Sequence, residues 1–355
     1  MKATFVSSYV IASNQRSILS QLQKDLSKNS TELTTGRYAD VGLELGSSAG
    51  VPVSLRAEST KLAAMIDSNE VLLSSLSLAQ LNMQGLRDGA DVFKDSLLSV
   101  PGQNRDADVL ADEAETALAS FYAALNGTDG MRYLFAGANS DVPPVVAYDA
   151  TVGADGVSPG PAQLVDDAFA AFMAAQAPPV TDVADLTAAQ MTAFLDGDFA
   201  DLFDDANWQQ TWSTATDQGR STRISPTETA TTSISANEEP FRRILMAYVM
   251  VAKLQTASLN KDALEVVMKK SEEVIVAAYS GIGDLESRLG NVENRISAAN
   301  EQMDLKIDLI EKHVDTYEGV DPAEAKTRVD LLTTQIEMSY SLTNQLLSLS
   351  ILDYA

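Results

Sequence analysis

A chain of 355 residues, 45% of them apolar, is long enough for one large domain or two to three smaller ones with a substantial core. Its net charge of −25 would repel nucleic acid and anionic membrane, and it has no run of eighteen apolar residues to span a bilayer. The absence of Cys and a single His, His313, exclude disulfides, thiolate metal sites and His-rich zinc centres, while 6% aromatic residues and 11 Pro suit helices better than a sandwich or barrel.

The N-terminus, MKATFVSSYVIASNQ, lacks a basic region, a continuous apolar stretch and a convincing cleavage site, so an ordinary cleaved export signal is not expected. Residues 5–35 read as a helix. Leu19, Leu22, Leu26 and Leu33 step by three, four and seven, with Asn29 at the missing seam position, a polar interruption of the kind that sets register in coiled coils. Phe5, Tyr9 and Ala12 extend the stripe upstream, and Gly36 suits a left-handed cap. Residues 36–54, with four Gly and a Pro, read as an irregular connector.

A long helix is predicted over 55–99, with its seam at Leu62, Ile66, Asn69, Leu73, Leu76, Gln80, Met83, Phe93 and Leu97, ended by Pro101-Gly102. A further helix over 105–125 carries Val109, Ala114, Ala117, Leu118, Phe121 and Leu125 on one face. A turn at Asn126–Gly130 and a short strand at Met131–Gly137 follow.

From Asp141 to Ser221 the composition changes: thirteen Asp, no Glu, no Lys and one Arg, about half of the net charge, with both Trp. Helical sequence on either side marks this stretch as an inserted domain, with helices at Ala162–Ala175 and Ala188–Leu195. Trp208 and Trp212 read as its packed core, although a carbohydrate platform would use the same residues. Asp196, Asp198, Asp201, Asp204 and Asp205 lack the spacing and terminal Glu of a calcium loop and read as a solvated face.

Residues 221–237 read as extended or hairpin, and 239–257 as a helix with Pro240 in its first turn. Asn260 then caps a helix from Lys261 to about Tyr317. Its seam is Ile282, Leu285, Leu289, Val292, Ile296, Ala299, Met303, Lys306, Ile310, His313 and Tyr317. At 1.5 Å per residue it would extend roughly 80 Å. Gly281-x-Gly283 lacks the third Gly and the βαβ setting of a dinucleotide loop.

After the break at Asp321-Pro322, the last helix carries an apolar face with Leu332, Ile336, Leu342, Leu346, Leu349 and Leu352. An apolar chain end needs a docking partner, and Phe5–Leu33 is the simplest one. Two helices leave apolar surface bare, so further copies of the chain are expected to cover it. The fold class is therefore mainly α: a long helical rod, terminal coiled-coil helices from both chain ends, a small β-hairpin, and an inserted outer domain of α/β or β-rich character. The expected division is 1–44 with 318–355, 45–140 with 222–317, and 141–221. No nucleophile–base pair, metal constellation or cofactor site can be assembled, so no enzyme, metal or cofactor is expected.

Several strings resemble the bacterial flagellin superfamily: Ser13-Asn14-Gln15-Arg16, Leu33-Thr34-Thr35-Gly36-Arg37, Tyr133-Leu134-Phe135-Ala136-Gly137, Ser235-Ala236-Asn237 and the closing Ser348 to Ala355. The resemblance covers about 1–140 and 222–355, and the S-L-x-x-L-D-Y ending is most similar to the branch that joins hook to filament. The resemblance implies an extracellular flagellar subunit, exported unfolded through the flagellar apparatus, with terminal helices that order on assembly. It implies as partners a ring of its own copies, the first hook-associated protein, flagellin and an export chaperone on the C-terminal region, with no nucleic acid and no membrane. A filament flagellin, and a secreted helical adhesin or effector, remain alternative readings of the same residues.

Overall fold

The structure, a computed structural model, describes residues 8–98 and 107–352. In chain order it forms α1 (Ser8–Thr35), α2 (Val41–Leu45), α3 (Gly50–Leu98), α4 (Ala107–Leu125), α5 (Pro161–Ala175), α6 (Ala188–Asp196), the short turns α7 (Asp198–Asp201) and α8 (Asp205–Asn207), β1 (Ser221–Ser225), β2 (Glu228–Thr231), α9 (Glu239–Lys253), α10 (Lys261–Glu318) and α11 (Pro322–Leu352). The chain is mainly helical, with one two-stranded antiparallel sheet in which Ser221 faces Thr231. It divides into two compact units, Met1–Ala64 with Gln302–Ala355, and Met65–Glu301.

In the first unit, α1 ends where Gly36 takes a φ of +69°, and its N–H reaches back to the Glu32 carbonyl at 2.8 Å. The next residues pair with the joint between α10 and α11: Tyr38 N–H donates to the Glu318 carbonyl and Val320 N–H to the Gly36 carbonyl, each at 2.9 Å. Asp321 then starts α11 by accepting from the Ala323 N–H at 2.8 Å, with Pro322 at a position that needs no donor. The lower seam of α10 departs from expectation. Ile310 is followed by Val314 and Glu318, both buried, while His313 and Tyr317 face solvent. A straight helix of 3.6 residues per turn drifts from a strict 3-4 alternation, and two successive steps of four take up the drift.

The second unit is organised around α9. Nine of its residues are buried, Phe241 and the unbroken run Ile244–Val251, and a run of eight covers every side of the helix, as in a core helix. It packs along α4, and Tyr248 meets Phe93 of α3 edge-on at 5.0 Å. The predicted face of α4 holds except at one point: Leu110 is buried and Val109 is exposed. Asn260 caps α10 as expected, its side chain accepting from the Ala263 N–H at 3.0 Å. Gly281 lies inside α10, where a Cβ would come 2.5 Å from the Pro240 ring, so this glycine serves helix packing.

Within the seam between α3 and α10, Asn69 is buried and its amide donates to the Ile224 carbonyl at 2.8 Å and to Asn300 Oδ1 at 2.7 Å. Asn69→Ala strands both acceptors and is expected to lower stability by about 1–3 kcal/mol in urea unfolding. A loss below about 0.5 kcal/mol would mean that the two bonds contribute nothing net.

The expected strand at Met131–Gly137 forms only single bridges, Tyr133 to Thr128 and Ala136 to Ser235. Asp129 folds this stretch into a turn instead. Its carboxylate accepts from the N–H of Met131 at 3.0 Å, the N–H of Arg132 at 2.9 Å and the hydroxyl of Ser75 at 3.1 Å. Burial opposes ionisation of Asp129, but these bonds and the nearby Arg220 outweigh it and hold the carboxyl below its ordinary range. A depressed carboxyl stabilises fully above its unfolded value of about 4, and that stabilisation is lost as pH falls through the folded value. The amides of Met131 and Arg132 are therefore expected to lose exchange protection only below about pH 4. Loss already at pH 6 would contradict this.

Residues 141–221 form the small inserted domain, and their buried residues are continuous with those around α4 and α9. Trp208 Nε1–H donates to Asn237 Oδ1 at 3.0 Å, and Arg242 of α9 donates to the Phe203 carbonyl at 3.2 Å. Asn260 donates to the Leu186 carbonyl at 2.5 Å. Phe194, Phe199, Phe203, Trp208 and Trp212 belong to the same buried cluster as α4 and α9.

Candidate assembly interface

The first and last helices meet in the first unit. Helices α1 and α11 pack along each other and run antiparallel, with Gly36 beside Val320 at one end and Gln15 beside Thr343 towards the other. Polar contacts fix the register: the Thr343 hydroxyl lies 2.9 Å from Gln15 Oε1, and Gln23 Nε2 donates to the Tyr340 hydroxyl at 3.1 Å.

Leu19, Leu22, Leu26 and Leu33 of α1 are half-buried, as are Leu332 and Ile336 of α11. Leu342 lies on the outer side and is 53% exposed. Tyr9, Leu346, Leu349 and Leu352 belong to the two helices, but their side chains lie outside the described residues, as does Phe5 altogether. Asn29 does not bridge the helices. Its amide donates to the Asp25 carbonyl of its own helix at 2.7 Å, so it sets no register across the pair.

No α1 leucine among the described residues is fully buried, and Val10, Ile18, Leu331 and Met338 stand exposed. A fully buried leucine contributes about 1.5–3 kcal/mol. Half-covered ones contribute only part of that, and the remainder is available to a further partner. This surface leaves apolar area uncovered along both helices.

Two buried carboxylates near the base of the pair were not singled out by periodicity. Glu318 ion-pairs with Arg56 and lies 3.9 Å from Arg37. Glu32 accepts from the Ala39 N–H at 3.2 Å and lies 3.8 Å from Lys28. A hydrogen bond from Lys28 to Glu44 is the main cause holding the Lys28 ammonium above its ordinary range. These groups tie the end of α1 to the connector and to the α10–α11 joint. Glu32 stands four residues before Gly36 and Glu318 directly before Gly319, and that proximity to the helix ends was the available signal.

The acidic run has a different place. Asp196 pairs with Lys270 at 2.5 Å, and among the described residues no group of three His, Asp or Glu could hold a metal ion. Among them, too, no helix is long and apolar enough to cross a membrane.

The sequence matches two family models, the bacterial flagellin N-terminal helical region over residues 6–140 and the bacterial flagellin C-terminal helical region over residues 273–355. A solved structure from Vibrio parahaemolyticus, provisionally described as a flagellar hook-associated protein, is similar in fold. Its TM-score is 0.51 at 10% identity, covering 76% of this chain and 97% of that one. No curated protein matches the sequence significantly.

Proposed function

Because the chain belongs to the bacterial flagellin superfamily, we propose that this flagellar structural protein is the adaptor that joins the hook to the filament. The observation that carries an assembly role is the α1–α11 pair, which joins both chain ends yet leaves its leucines half-covered. The junction role rests on the closing Ser348-Leu349-Ser350-Ile351-Leu352-Asp353-Tyr354 and is supported by the likeness in fold to the Vibrio parahaemolyticus protein. In this role the chain is exported unfolded through the flagellar apparatus with a chaperone on its apolar C-terminal region. It then seats between the first hook-associated protein and flagellin as a ring of copies, without enzymatic activity or cofactor.

A filament flagellin is the second reading, favoured by the two flagellin family models. Deleting the gene separates the two. Cells that keep hooks, lose filaments and shed flagellin into the medium support the adaptor. Short or absent hooks contradict it. Purified protein that grows long filaments by itself from seeds supports the filament reading instead.

A further inference from the structure

The second unit carries a knob and a groove with complementary charge. The knob is the turn after α4. Asp129 accepts from the N–H groups of Met131 and Arg132, and Gly130 takes a φ of +91°, which together define the shape of the turn. It presents Met131 at 89% exposure, an unusual position for so apolar a side chain. Arg132 is exposed beside it, and burial together with the like charge of Arg132 lowers the pKa of the neighbouring Arg220. Among the described residues neither arginine forms a salt bridge.

The groove runs between α3 and α4 and encloses about 760 Å³. Leu81, Val92 and Val109 form exposed apolar walls, and Gly85 lines the groove without adding a side chain to it. Asp88 and Asp112 stand on the rim, and neither is salt-bridged among the described residues. The groove thus wants an apolar side chain flanked by positive charge, which is what the turn presents.

A copy cannot fill the far part of its own groove. The turn is anchored to Ser75 of α3 at 3.1 Å, and Val92 lies seventeen residues further along that helix, about 25 Å away. We propose that Met131, flanked by Arg132 and Arg220, docks in the groove between α3 and α4 of a second copy of this chain. Knob and groove are different surfaces, so the contact is head-to-tail. Such contacts close into rings or continue as helical rows, according to the rotation between copies. Methionine is an adaptable filler, and arginine is enriched at the centre of protein interfaces. The proposal rests on the reading that the chain assembles with its own copies in the flagellum.

The absence of Cys makes the test specific. Flagella are purified from cells whose only copy of the chain carries Met131→Cys and Val92→Cys, oxidised mildly, and run without reductant. The expected result is a ladder of disulfide-linked chains that neither single variant gives. Two residues about 25 Å apart cannot bridge within one copy. Arg132→Glu is expected to reduce incorporation into flagella about tenfold, and Asp112→Arg in the same chain to restore it. A chain that is present in the flagella but gives no ladder overturns the docking and leaves the flagellar reading standing. A double-charge variant without rescue overturns the role of the rim. A wild-type chain absent from purified flagella overturns the flagellar reading, and the docking with it.

Discussion

Trp208→Ala is expected to destabilise the second unit by about 3–5 kcal/mol, among the larger single-residue losses in the molecule. The indole is fully buried and stacks on Trp212, with ring centres 6.1 Å apart and planes 15° from parallel. Trp212 in turn stacks on Phe203 at 4.9 Å, and Phe203 continues to Phe199 and Phe194. Truncation therefore opens a cavity within a chain of rings that have little room to collapse. It also removes the donor to Asn237 Oδ1, while the Asn237 amide remains tied to the Ala215 carbonyl and Asp217. Trp208→Phe keeps most of the volume and loses the N–H, so about 1–3 kcal/mol is expected there. Trp212 is the only other tryptophan, so its fluorescence in urea reports the region directly in either variant. A loss below about 1 kcal/mol for Trp208→Ala would mean that residues 141–221 contribute little to the shared core.

Ending the chain at Glu337 is expected to abolish incorporation into flagella while leaving the thermal transition of the second unit unchanged. The deletion removes Tyr340 and Thr343, which hold Gln23 and Gln15, together with the apolar positions that follow them. The first half of α1 then has no partner, and isolated helices of that length are marginal in water. The second unit spans Met65–Glu301 and uses none of the deleted residues. Calorimetry of the purified variant and immunoblotting of purified flagella measure the two effects. A truncated chain that still enters flagella would contradict the role of α11, and a collapsed second unit would make the loss one of folding rather than of docking.

Much of the framework was legible because helices announce themselves by period. The 3-4 steps place α1, α3, α10 and α11 within a few residues of their observed ends, and the first and last helices do pair. Where period fails, the cause is local. Asn29 occupies a seam position, but a short amide is satisfied more cheaply by its own helix backbone. Val109 and Leu110 are equally apolar neighbours, and only the packing of α4 on α9 decides that Leu110 turns inward. Helix α9 was legible from Pro240 in its first turn, but its sequence does not say which neighbours surround its buried run Ile244–Val251. The sharp change in composition at Asp141 marks the inserted domain. Charge, however, describes a surface, whereas the shared core is set by Trp208, Phe203 and Arg242, which composition cannot connect. At the interface, leucine spacing found the two helices, while the buried Glu32 and Glu318 depend on tertiary contacts to the connector.

The central claim is that α1 and α11 are completed only by neighbouring copies, and hydrogen exchange on the dilute monomer tests it most directly. With half-covered leucines along the pair, amides of Ser8–Thr35 and Pro322–Leu352 are expected to exchange at least about 100-fold faster than those of Glu239–Lys253. Protection of the terminal helices equal to that of α9 in the isolated chain would contradict it.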